Sequence, residues 1–152
     1  MKKKRILAMI LAVASCLSLA VSASAANTVA RKATDFRDFD KSAWYAEAVS
    51  AAVDNGLLYG KSSTIIDPSG DMTRAEMAAI INRSFGCYKT ADISQYSDVS
   101  KSKWYYKDVA LAVQMGTYNG RSASSMAPDA PISRQEAMTV VARALELDYD
   151  SY

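Results

Sequence analysis

"MTRAEMAAI", residues 72–80, and "ISRQEAMTV", residues 132–140, are one helix start written twice. In each, a hydroxyl residue (Thr73, Ser133) is followed three positions later by a glutamate (Glu76, Glu136). That spacing is a capping box, in which the hydroxyl accepts from one backbone N–H of the first turn and the glutamate reaches back to another. It predicts a helix from Thr73 that buries Met77, Ile80 and Ile81, and a second from Ser133 that buries Ala137, Val140 and Val141. The box accounts for the hydroxyl and the acid. It does not account for Arg74 and Arg134, which stand at the first helical position, where the helix dipole disfavours a cation by about 0.3–1 kcal/mol.

Outward from these starts, residues 36–85 align with 96–145 at a constant offset of 60 and without a gap. The identical pairs include Asp38/Asp98, Trp44/Trp104, Tyr45/Tyr105, Val49/Val109, Gly56/Gly116, Gly60/Gly120, Pro68/Pro128 and Arg83/Arg143. They fall at punctuating and core positions, as in a duplicated structural unit. Each unit reads as helix, long loop, helix. Tyr45, Val49, Ala52 and Val53 recur at helical spacing, and so do Tyr105, Val109, Ala112 and Val113; Gly56 and Gly116 sit where a left-handed cap ends each first helix. Residues 86–95 form a polar connector, 26–35 a linker and 146–152 a tail. One unit of about 50 residues buries too little apolar surface to stand alone, so the two are expected to pack together in an all-α fold of two tandem helix–loop–helix repeats.

The first 25 residues read as a secretion signal. Met1-Lys-Lys-Lys-Arg5 is a basic start, an apolar run opens at Ile6, and Ala23-Ser24-Ala25 has the small-x-small form that signal peptidase cleaves. The run is too short and too rich in Ser and Ala for a stable membrane span. The alternative leader is Val13-Ala14-Ser15-Cys16, which resembles a lipobox that would leave a lipidated Cys16. Removal of the leader takes four basic and no acidic residues from a total of 18 Lys+Arg and 16 Asp+Glu, leaving a net charge of −2. That balance carries no basic footprint for nucleic acid. Cys87 is then the remaining cysteine, so no intramolecular disulfide forms; it reads as a small apolar filler. The chain has no histidine, which removes Ser/His and Cys/His nucleophiles and His-based metal sites. The acids are capping residues or scattered on solvated faces, so neither a catalytic residue, a metal site nor a cofactor is expected.

The candidate binding residues follow from the two arginines. A helix N-terminus with unbonded N–H groups and a guanidinium beside it is an anion site, and guanidinium matches a carboxylate with two parallel donors. The competing reading makes Arg74 and Arg134 surface residues, or pairs them with structural acids such as Asp38 or Asp98. In Gly60-Lys61 and Gly120-Arg121 the glycine lets the backbone approach a ligand and the next residue adds charge; as ordinary turns they would carry a solvated cation. Trp44 and Trp104 offer faces for a sugar ring, or pack at the helix start. Thr73, Glu76, Ser133 and Glu136 are assigned to capping, and Tyr45 and Tyr105 to packing.

The aromatic-x-Asp openings "FRDF" and "YSDV", Trp-Tyr at each first helix, Gly-Lys or Gly-Arg in the loop, Pro before the second helix and Thr-Arg-Ala-Glu together resemble the S-layer homology (SLH) repeat, twice over. The resemblance implies a non-catalytic module that anchors a secreted bacterial protein to the cell wall or surface by binding secondary cell-wall polysaccharide, often pyruvylated. It also implies a partial version of a three-repeat pseudo-trimer with ligand grooves between neighbours. Two repeats leave open a second role, self-association or pairing with other SLH chains. The leader reading predicts that mass spectrometry of the secreted protein finds an N-terminus near Ala26; an acylated Cys16 in the membrane fraction would replace it with the lipoprotein reading.

Overall fold

The computed structural model describes residues 31–86 and 88–146. The segment read as a secretion signal, with Cys16, the first residues of the linker, Cys87 and the tail beyond residue 146 lie outside the described residues. Among the described residues the regular structure is a short 3-10 turn, Ala33–Asp35, and four α-helices: α1 Ala46–Asp54, α2 Arg74–Phe85, α3 Tyr106–Gln114 and α4 Arg134–Ala144. The fold is all-α, and among the described residues the one β-type pairing is an isolated antiparallel bridge between Thr73 and Pro131.

Both capping boxes form. Thr73 accepts from Glu76 N and Glu76 accepts from Thr73 N; Ser133 and Glu136 do the same. Gly56 and Gly116 end α1 and α3 with φ of 68° and 72°, and Leu57 N returns to Ala52 O at 2.8 Å to close the α1 cap. The long loops are held by the opening aspartates. Asp38 accepts from the backbone N–H of Ile66 and Asp67, and Asp98 from Met126 and Ala127 and from the Ser125 hydroxyl. Asp67 and Ala127, at equivalent positions, are left-handed with φ of 55° and 52°. Such backbone costs free energy for a residue with a Cβ, and the carboxylate holding its N–H offsets that cost.

The two helices of a repeat do not pack on each other. The loop carries α2 away from α1, and α2 lies on α3 of the second repeat and also touches α4. The main core is therefore between repeats: Ala75, Met77, Ala78 and Ile81 of α2 cluster with Val109, Ala110 and Ala112 of α3 and with Tyr105 at its N-cap. A smaller cluster of Ala33, Phe36, Val53 and Ile66 stabilises the start of the first repeat. This asymmetry explains where the expected faces depart from the sequence reading. Tyr105, Val109 and Ala112 are buried, whereas their counterparts Tyr45, Val49 and Ala52 are half-buried, because no second helix covers α1; the fourth pair is reversed, with Val53 buried in the smaller cluster and Val113 half-buried. Ile80 and Val141 are half-buried rather than core. The connector is less polar in effect than in composition: Ile93 is 1% exposed within the main core, and its equivalent Ala33 anchors the smaller one. No helix among the described residues is long and apolar enough to cross a membrane.

Asp98 has its carboxyl held below the usual range; burial pushes it up, but the N–H groups of Met126 and Ala127 and the Ser125 hydroxyl outweigh that. A carboxyl lowered in the folded state stabilises the fold above its unfolded pKa of about 4, and that contribution is lost as pH falls through the folded value. The thermal midpoint is expected to drop as pH goes below about 4, and Asp98→Ala to lower the midpoint at pH 7 and flatten that drop; an unchanged acid limb would remove Asp98 from the loop clamp.

Candidate functional site

The structure builds two equivalent clefts, each on the surface where repeats meet. The cleft of the second repeat, about 290 Å³, is lined by its own Asn119, Gly120, Arg121, Glu136 and Arg143 and by Arg74 of the first repeat. The cleft of the first repeat, about 540 Å³, includes Tyr59, Gly60, Lys61, Glu76 and Arg83 together with Trp104 of the second repeat. The expected site residues are thus brought together across repeats: Arg74 with Gly120 and Arg121, and Gly60 and Lys61 with Trp104. Arg134 and Trp44 join neither cleft. Arg134 is exposed, and Trp44 is 95% exposed against 59% for Trp104.

Arg74 is 4% exposed. Its Nε donates to Met126 O at 2.9 Å, Nη1 to Glu136 Oε1 at 2.8 Å and Nη2 to Asn119 O at 2.9 Å. The guanidinium lies 5.2 Å from the centre of the Tyr118 ring, and the Tyr118 hydroxyl donates to Arg74 O. Burial pushes that hydroxyl well above its ordinary pKa, so it stays a donor. The acid that pairs with Arg74 is neither Asp38 nor Asp98 but the capping glutamate of the other repeat. The N–H groups at the start of α2 are also not open to an anion: Arg74 N donates to Ala130 O at 3.0 Å and Ala75 N to Pro128 O at 2.9 Å.

Glu136 gathers these contacts. It caps Ser133 N, accepts from Arg74, and takes Arg121 Nε and Nη2 at 3.0 and 3.1 Å. The Arg121 hydrogen bond, ahead of the Ser133 N–H and the charge of Arg74, holds its carboxyl down to about 2. In the first repeat Glu76 caps Thr73 N and takes Lys61 Nζ at 2.7 Å. Burial raises the Glu76 carboxyl, and Lys61 and Thr73 more than offset this. Lys61 and Arg121 are therefore tethered cations rather than solvated ones. Gly60 and Gly120 line the clefts, and a side chain at either would strike Phe36 or Tyr96 and loop carbonyls of its own repeat; the turn requires glycine on steric grounds alone.

Arg143 was not singled out as a site by the sequence, although it is one of the identical pairs. Its counterpart Arg83 donates to Leu57 O at 2.9 Å and lies 4.2 Å from the Tyr59 ring. Position 119 holds Asn where 59 holds Tyr, and the Arg143 side chain has no hydrogen-bond or ion-pair partner among the described residues. The second cleft thus carries Arg74, Arg121 and Arg143 against Glu136. The first carries Lys61 and Arg83 against Asp67, Asp71 and Glu76. One cleft is net positive and the other net negative. Among the described residues no group of three acids or thiols is placed to hold a metal ion.

The family profile described as "S-layer homology domain" matches residues 35–78 and 95–138, more than half of the chain. The chain is 34% identical over 116 residues to the Surface-layer 125 kDa protein of Lysinibacillus sphaericus, covering 74% of this chain and 10% of that protein. It is 28% identical to a Cell surface protein of Thermoanaerobacter kivui, over 90% of this chain and 18% of that one. It is 27% identical to an Endoglucanase of Bacillus sp. (strain KSM-635), over 94% of this chain and 15% of the enzyme. The chain spans less than a fifth of each of these relatives.

Removal of Arg74 leaves the Asn119 and Met126 carbonyls unpaired beneath Tyr118, a loss of about 3 kcal/mol for a buried charge contact. Arg74→Ala is expected to lower stability by about that amount, whereas Arg134→Ala, the same residue at the same helix position, leaves the midpoint of a dilute solution unchanged. Denaturant titration of the pair checks this; equal effects would contradict the burial difference.

Proposed function

The chain belongs to the S-layer homology domain family, and on that basis we propose that it anchors a secreted protein to the bacterial cell surface, without catalysis, by binding cell-wall polysaccharide. The relatives support this reading: surface-layer and cell-surface proteins carry this region, and so does an enzyme of which it is a small part. The ligand is an acidic glycan, with a ketal-linked pyruvate as the carboxylate that the second cleft receives.

The observation that carries the assignment is the charge of that cleft, three arginines against one acid between the repeats. Arg143, whose side chain has no partner among the described residues, and Arg121, 42% exposed at its side chain, present donors to an incoming carboxylate. Arg74 lies behind them, holds Glu136 and keeps the local potential positive. Gly120 shapes the floor. In the other cleft Trp104 offers a ring face to a neighbouring sugar beside Gly60 and Lys61. Arg134 and Trp44 reach a ligand only if another repeat completes their surroundings.

The test is co-sedimentation with cell-wall sacculi before and after removal of the polysaccharide. Arg143→Ala and Arg121→Ala are each expected to weaken binding roughly tenfold, the loss of one charge-assisted contact of about 1.4 kcal/mol, with an unchanged circular dichroism spectrum. Equal binding of native and depyruvylated polymer would remove the carboxylate from the proposal, and equal binding to stripped sacculi would remove the polysaccharide.

A further inference from the structure

Between the repeats the chain displays a complete docking interface, and each half of that interface is present a second time without its mate. The contributing half is α2: Arg74 with its first-turn N–H groups at the start and, toward the end, Asn82, whose side chain donates to Asp108 O at 2.7 Å. The receiving half is the second repeat: the Asn119, Met126, Pro128 and Ala130 carbonyls, Glu136 and α3. At the offset of 60 the contributing half recurs on α4 as Arg134, Gln135 and Ala142. The receiving half recurs on the first repeat as the Tyr59, Ile66, Pro68 and Gly70 carbonyls, Glu76 and α1.

Among the described residues both copies lie open. Arg134 is exposed where Arg74 is buried, and Met138 is 63% exposed where Ala78 is fully buried. The backbone N–H groups of Arg134 and Gln135 have no partner among the described residues, whereas those of Arg74 and Ala75 do. The receiving cleft already holds a guanidinium on one of its acceptors: Arg31 Nη1 donates to Tyr59 O, the equivalent of Asn119 O, at 3.3 Å from an exposed position.

We infer that two copies of this chain dock head to tail, with Arg134 of one entering the cleft of the other's first repeat to meet Tyr59 O, Ile66 O and Glu76. The occupant is identified by continuity with the interface inside the chain and by charge, since this cleft is net negative and the entering group is a cation. The side chains at the crossing point change together. Where Asn82 meets Asp108 within the chain, Ala142 would meet Ala48, an exposed residue on α1, so a polar contact is exchanged for close packing of small groups. Docking also covers Trp44, which takes beside the second cleft of the neighbour the place that Trp104 holds beside the first. Leu58 stands where the second repeat has Tyr118, so the entering guanidinium gains no ring face, and the contact between copies is weaker than the one within a chain. The interface joins unlike surfaces, so it propagates into rings or open chains rather than stopping at a two-fold dimer. None of this depends on the glycan.

The test uses two variants of the full chain, each with one face blocked. Arg134→Glu blocks the contributing face and places an acid where the helix dipole favours one. Ala48→Arg blocks the receiving face with a good helix former at an exposed site. Sedimentation velocity over a concentration series is expected to show the wild-type mass rising, with tryptophan emission moving to the blue as Trp44 is covered, and each variant alone shifted at least tenfold toward monomer. An equal mixture of the two variants retains one intact interface and is expected to give species of two chains and none larger. A wild-type mass independent of concentration overturns the inference, and so do variants that assemble normally or a mixture that stays monomeric while both variants keep the wild-type circular dichroism.

Discussion

A guanidinium that leaves one repeat and is enclosed by the next is the contact on which the arrangement rests. Arg74 loses water on nearly every side, and burial of a charge is unfavourable unless its donors are met. The second repeat meets them with two loop carbonyls and the glutamate that caps its own helix. Those acceptors are in place because Asp98 grips the loop at Met126 and Ala127, which holds the left-handed turn and aims the Met126 carbonyl at Arg74. Cap, loop clamp and repeat pairing are therefore one coupled network.

The parts legible from the sequence are those set by local rules. The capping boxes, the left-handed glycines, the helix starts and the two-unit register all follow from spacing within a few residues or from comparison of one unit with the other. What escaped is whatever depends on a neighbour. Arg74 and Arg134 share residue type, helix position and capping partners, and nothing local tells which is buried. The expectation of unbonded N–H groups at the first helical turn suits α4 and fails for α2, because the carbonyls that occupy them come from more than 50 residues away. Ile93 reads as part of a polar connector until the core it enters is seen.

The same limit applies to the glutamates. Their spacing assigns Glu76 and Glu136 to capping, and the structure agrees. It also gives each a second task that spacing cannot show, the tethering of Lys61 or Arg121 and, for Glu136, the receipt of Arg74. A carboxylate has room for about four donors, so a capping acid at the edge of a repeat can close a helix and receive a neighbour at once.

Divergence between the repeats acts on this shared frame through single side chains. Tyr59 lies over Arg83 in the first repeat, and Arg83 spends a donor on Leu57 O, so that arginine is absorbed into packing. Asn119 at the matching position supplies no ring. The carbonyl of Asn119 is meanwhile taken by Arg74, and Arg143 lines the cleft with no side-chain partner among the described residues. A Tyr-to-Asn difference thus turns a structural arginine into a candidate ligand cation on a shared helix–loop–helix frame, although the loop backbone beside it also differs, with Gly60 left-handed and Gly120 not. In a duplicated unit, the candidate binding residue is then the identical residue whose companion has changed, a pattern visible in an internal alignment once the companion is known to be in contact.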